Sequence, residues 1–218
     1  MERFLYLPIT GLFFSVAIAS LCCPVTARAN TVALDFAGAE KTILPSGFTY
    51  GWAFTLSGPV LVTDLGFWDE DNNGLSNDHN VTIWDNTTMS VMAQANVTSA
   101  GTLVDGFRYV SLPVPVLLPL GDYTIAAFNH GPNLVPDNLR QNAATITTAA
   151  GVTYNGSRET VGDSSQPGDL GNKSNSYFGP NFQFTPVRSV PDAGSALMLL
   201  AFSAVAIFGL NLLQRKLS

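Results

Sequence analysis

From Thr31 to Phe184 the apolar positions follow a period of two, and no stretch sustains helical spacing. Phe48, Tyr50, Trp52 and Phe54 share one parity, while Thr49, Gly51, Ala53 and Thr55 share the other. Leu61, Leu65 and Phe67 form a second set, followed by Val81 and Ile83. Residues 107–112 and 123–126 read as further strands, and Phe182 with Phe184 ends the series. Turn signals separate these runs at Ser57-Gly58-Pro59, Asn72-Asn73-Gly74, Asp105-Gly106 and Leu120-Gly121-Asp122. Short alternating strands at this spacing predict an all-β body, an antiparallel β-sandwich of jelly-roll type, over residues 30–185. Residues 155–176 are rich in Gly, Ser, Asn and Asp, with only Val161 and Leu170 as large apolar residues, and predict a long surface loop. Residues 186–189 read as a short linker.

The pattern changes at both ends. Residues 1–29 open with Arg3, continue as a mostly apolar run from Phe4 to Cys23, and close with Ala27-Arg28-Ala29. That is the layout of a signal peptide, with Ala27 and Ala29 presenting small side chains to signal peptidase and Asn30 starting the mature chain. A retained membrane anchor is the alternative, but Pro8, Thr10 and Gly11 interrupt the run. Leu21 and Cys22, the residues before the two cysteines, are not the small residues of a lipoprotein site. Cys22 and Cys23 are the only cysteines, so the exported body has no disulfide and must stand on its own core. At the other end, residues 196–213 form an almost unbroken apolar run. As a helix it would be about 27 Å long, close to the thickness of a bilayer's hydrocarbon core. Arg215-Lys216 follow and are expected to stay cytoplasmic.

Val190-Pro191-Asp192-Ala193-Gly194-Ser195, the apolar run and the short basic end together resemble the PEP-CTERM class of bacterial C-terminal sorting signals. The resemblance covers residues 190–218 and is to the variant whose motif reads Val-Pro-Asp-Ser-Gly, with Ala193 standing where that variant usually has Ser. It implies an exosortase-type membrane protease as partner. It also implies delivery to the surface or extracellular matrix of a Gram-negative-type bacterium. A second resemblance spans residues 50–129, through Gly51-Trp52-Ala53-Phe54, Thr63-Asp64-Leu65-Gly66, the stretch from His79 to Asp85, Gly106-Phe107-Arg108-Tyr109-Val110 and Leu120-Gly121-Asp122-Tyr123. It is similar to an uncharacterised β-sandwich domain of exported bacterial surface proteins, which implies no known activity.

Composition narrows the function classes. The 218 residues carry a net charge of −6, and charged residues make up only 12%, against roughly 25% in ordinary soluble domains. Four of the ten basic and two of the sixteen acidic residues lie outside residues 30–191, which leaves 6 and 14 in the body, a net of −8. A basic nucleic-acid binder and a disordered acidic chain are both excluded.

The densest polar stretch is residues 69–80. Asp69, Asp71, Asn73 and Gly74 match the first, third, fifth and sixth positions of a calcium loop, and Asp78 adds a carboxylate. Asn80 replaces the bidentate Glu and the flanks are strands, so an EF-hand is excluded and the choice lies between a weak calcium site and an acidic hairpin loop. Trp52 falls on the core parity, whereas Trp68 and Trp84 fall on the opposite one and are expected to face outward as a glycan platform or as isolated surface rings. His79 and His130 lack metal-ligand spacing and read as loop or strand-edge residues. No nucleophile elbow, phosphate loop or dinucleotide motif is present. Asn80, Asn86, Asn96, Asn155 and Asn172 begin N-x-[ST] triplets, chance matches in a bacterial secretion setting. The expected function is that of a non-enzymatic exported surface protein, with extracellular polysaccharide as a further partner. A carbohydrate-binding module using Trp68 and Trp84, or a secreted hydrolase, are the rivals.

Overall fold

The computed structural model describes residues 30–42, 45–129, 137–162, 166–168 and 175–187. Ala27, Ala29, the motif from Val190 to Ser195 and the apolar run 196–213 lie outside the described residues, as do His130 and the end of the linker. The described chain is all-β and its strands pair antiparallel. No helix among the described residues is long and apolar enough to cross a membrane.

The strands are β1 (Thr31–Val32), β2 (Leu34–Ala37), β3 (Glu40–Thr42), β4 (Phe48–Leu56), β5 (Val60–Trp68), β6 (His79–Asp85) and β7 (Val91–Val97). They continue as β8 (Thr102–Val104), β9 (Phe107–Leu118), β10 (Gly121–Asn129), β11 (Leu139–Gln141), β12 (Thr145–Thr148), β13 (Val152–Val161) and β14 (Pro180–Pro186). One five-stranded sheet has the order β1-β14-β5-β9-β8, and the other β13-β4-β10-β6-β7. Two small pairs, β11-β3 and β12-β2, flank them.

The predicted core parity holds where the two large sheets meet. Trp52 and Phe54 of β4 lie 6.1 and 4.9 Å from Phe182 of β14, ring centre to ring centre. Trp52 donates its indole N–H to the Pro180 carbonyl at 2.8 Å, so its single polar atom is satisfied inside the core. Leu65, Ile83, Ile125, Phe182 and Phe184 are completely buried around them. Each such side chain contributes about 1.5–3 kcal/mol of transfer free energy. Close approach of β4 and β10 depends on Gly51, where a Cβ would stand 1.9 Å from the Ile125 carbonyl oxygen.

Residues 155–161 do not form the predicted loop. They belong to β13, which pairs with β4 from Val152↔Leu56 to Val161↔Phe48, with a bulge between Tyr154 and Ser157. Backbone ladder bonds are indifferent to side-chain polarity, so an edge strand can carry a polar sequence that reads as loop. β9 has a similar irregularity, where register slips opposite Val62 and Asp64. Pro113 and Pro115 lie in that interval and have no N–H to donate to the ladder.

The register divides the molecule into two poles. Thr31 pairs with Phe184, so the start of β1 and the end of β14 leave side by side. The 57–59, 86–90, 119–120 and 149–151 connections stand at this terminal pole. The 69–78 loop, the 105–106 turn and residues 137–138 stand at the opposite, loop pole.

Candidate functional site

The loop pole gathers the densest set of charged side chains. Trp68 ends β5 and His79 begins β6, and between them the chain turns through Asn72 at φ 57° and Gly74 at φ 107°. A Cβ at Gly74 would lie 2.2 Å from the Ser99 hydroxyl oxygen, so glycine is required by conformation and by space. Asp69, Glu70, Asp71, Asn73, Gly74, Ser76, Asp137 and Asn138 line a small concavity there.

Its carboxylates are tied to donors from distant strands. Asp69 is buried and accepts Arg108 Nε at 2.7 Å and the Gly74 N–H at 2.9 Å. Arg108 also donates to the carbonyls of Gly101 at 3.3 Å and Asn72 at 3.2 Å, which joins the 69–74 and 98–101 segments. Glu70 is held by Lys41 of β3 at 3.0 Å, Arg140 of β11 at 3.2 Å and the Asn138 amide at 2.8 Å. Asp137 accepts the backbone N–H groups of Ser76 and Asn77 at 2.8 and 3.1 Å, and His79 Nε2 lies 2.6 Å from it. Burial pushes the Asp137 carboxyl up, but the His79 and backbone hydrogen bonds and the attraction of His79 outweigh it and hold it below the usual carboxylate range.

His79 is the first residue of β6, a strand-end position as one of the two expectations had it, and it is buried. Its ring lies parallel to Phe67 at 3.7 Å, and its Nδ1 faces the Phe128 carbonyl at 3.4 Å. The burial follows from register: His79 shares the parity of Val81 and Ile83, which face the core.

Of the predicted calcium residues, Asp69, Asp71 and Asn73 line the loop-pole concavity together, and Asp78 is not among its lining residues. Asp69 is committed to Arg108, Asp71 and Asn73 are exposed, and Asp78 accepts the Asn96 amide at 3.1 Å. Among the described residues no group of three or more His, Cys, Asp or Glu side chains converges as metal ligands. Sequence reasoning passed over Glu70 as a ligand partner, and it missed Asp137, Arg108, Arg140 and Lys41. Three of these come from other strands, and no local spacing links them to the loop.

Trp68 and Trp84 do not make a shared platform. Trp68 belongs to the β5 sheet and Trp84 to the β6 sheet, each on the side of its sheet away from the common core. Trp84 is only 3% exposed, so the expected outward ring is covered. Trp68 is half-buried between Phe36 at 4.9 Å and Phe107 at 5.1 Å, with the Arg140 guanidinium 5.6 Å above its ring. The parity assignment was right for both. What it could not show is that β2, carrying Phe36, folds back over the outer face of the β5 sheet.

Asn30, the expected first residue of the mature chain, is described and donates its side-chain amide to Asp64 at 2.7 Å. No protein-family model matches the chain, and no curated protein matches it.

Proposed function

We propose that the chain is an exported, non-enzymatic surface or matrix protein whose body is a jelly-roll-like β-sandwich. In this reading signal peptidase cuts after Ala29, and an exosortase-type protease reads Val190-Pro191-Asp192 ahead of a span at 196–213. The observation that carries it is the pairing of β1 with β14. β1 starts at Thr31, one residue after the expected mature terminus, and β14 ends at Pro186, four residues before the motif. The two address segments therefore flank a body whose first and last strands are neighbours, and neither is needed to complete its sheets. Both sheets also draw on one apolar core, as a sandwich requires.

The test is expression in a host with an exosortase system. The exported protein should begin Asn-Thr-Val-Ala-Leu, and Asp192→Ala should insert in the membrane yet accumulate unprocessed. A different N-terminus overturns the signal assignment, and normal processing of Asp192→Ala overturns the sorting assignment.

A further inference from the structure

Large apolar side chains are not scattered evenly over the surface. Met89, Leu117, Leu120 and Val187 are exposed by 67%, 53%, 70% and 42%, and all four stand at the terminal pole. Val91 opens β7 beside them and is 55% exposed. Among the described residues of this kind, Leu103 and Val161 stand at the loop pole and Val114 stands within β9, between the poles. Single exposed leucines are ordinary; their collection at the pole from which the chain ends emerge is not.

The connections at this pole are also bonded to one another. The Val187 N–H bonds the Pro59 carbonyl at 3.1 Å, Ser57 bonds Gly151 at 2.9 Å, and Asn86 bonds Asp122 at 2.9 Å. The Tyr123 hydroxyl donates to Pro119 at 3.0 Å, which fixes the turn that presents Leu120. Among the described residues Lys41, Arg108 and Arg140 are bound at the loop pole, while Arg158, whose backbone pairs mid-strand with Gly51, lines a concavity with Asn86, Met89 and Thr124. Among the described residues, Asp85 and Asp122 are the acids of this pole. Asp85 accepts the N–H groups of Thr87 and Thr88, and Asp122 accepts the Thr55 hydroxyl.

We propose that this terminal pole is a lipid-facing surface, seated on the bilayer with Leu117, Leu120, Met89 and Val187 in its interfacial layer. The inference rests on the reading of residues 196–213 as a membrane span. Val187 and Ala196 are nine positions apart, with eight residues between them, and a fully extended chain over that interval reaches only about 30 Å. A short tether of this kind holds the pole at an effective concentration on the millimolar scale, so a contact too weak to recruit a free protein is enough to orient a tethered one. Seated this way, the body presents its loop pole, with Asp69, Glu70 and Asp137, away from the membrane.

The experiment uses the expected mature chain, residues 30–218, which carries no cysteine, reconstituted in phosphatidylcholine vesicles. A polarity-sensitive fluorophore is placed at Leu120→Cys and, separately, at Asp71→Cys. The expected result is blue-shifted emission from position 120, most of it lost when the vesicles contain nitroxide-labelled lipid, with position 71 unaffected. A chain that inserts while position 120 stays as wet as position 71 overturns the proposal and leaves the span intact. Blue-shifted emission that nitroxide lipid does not quench overturns it in favour of a protein partner or a second copy. A chain removable by carbonate overturns the span, and the proposal with it.

Discussion

Replacing Arg108 with Met should cost far more than loss of an ordinary surface ion pair. The Asp69 side chain is 2% exposed and that of Arg108 only 17%, with 2.7 Å between Nε and the carboxylate. Methionine keeps much of the stem's packing but strands the charge, leaving only the Gly74 N–H on that oxygen. Removing one partner of a buried pair typically costs about 3–5 kcal/mol, against about 0–1 for an exposed pair. At about 2–4 °C per kcal/mol for a body of this size, Tm should fall by roughly 6–20 °C. The assay is thermal unfolding of the full chain in detergent, followed by near-ultraviolet circular dichroism and repeated at high salt, which should not shrink the difference because the pair is shielded from solvent. Adding Asp69→Asn to Arg108→Met should recover much of the loss, since an amide oxygen still accepts the Gly74 N–H without carrying charge. A single variant that loses less than about 1 kcal/mol, or a double variant no better than the single, would refute the account of Asp69 as a charge dependent on Arg108.

The Asp137 carboxyl is held below its unfolded value, so its contribution is complete above the ordinary carboxylate range and disappears as pH falls through the lower folded value. Acid unfolding of Asp137→Asn should therefore show a shallower loss of stability below about pH 4 than the parent; parallel curves would mean that the carboxylate bonds to Ser76, Asn77 and His79 contribute nothing. For the 69–80 loop, a calcium site of the weak extracellular class would raise Tm by a few degrees at millimolar calcium. Because Arg108, Lys41 and Arg140 already answer Asp69 and Glu70, the expected response to calcium equals that to sodium chloride at matched ionic strength. A calcium-specific rise abolished by Asp71→Ala would reverse this and restore the loop as a cation site.

Alternation placed β4, β5, β6, β9, β10 and β14, because each buries one face and the parity of large apolar residues records which. It was silent on β2, β3, β11 and β12, whose pairs are three or four residues long and whose exposed positions carry Glu40, Lys41, Thr145 and Thr147. β13 escaped for a different reason. Its sequence from Asn155 to Thr160 is polar throughout, and the bulge at Tyr154 and Ser157 breaks whatever alternation remained. Period-two reasoning detects a strand by what its side chains bury, so a strand held by its backbone and its neighbour's edge gives no signal.

The site was legible only by half for a related reason. The acidity of residues 69–78 is visible in the sequence, and a body charge of −8 makes it look uncompensated. Net charge, however, says nothing about where the few cations stand. Lys41 precedes the loop by 28 residues, Arg108 follows Asp69 by 39, and Arg140 comes later still, yet the order β14-β5-β9 and the β11-β3 pair deliver all three to one pole. Asp137, the loop's other clamp, is 58 residues from His79. Repulsion within the loop would have been a reason to expect a bound cation; compensation from three strands supplies cations that are already part of the chain. A local motif lists the oxygens of a site, while the fold decides which of them remain available: Asp69 Oδ2, both oxygens of Glu70 and both oxygens of Asp137 already meet partners within the chain.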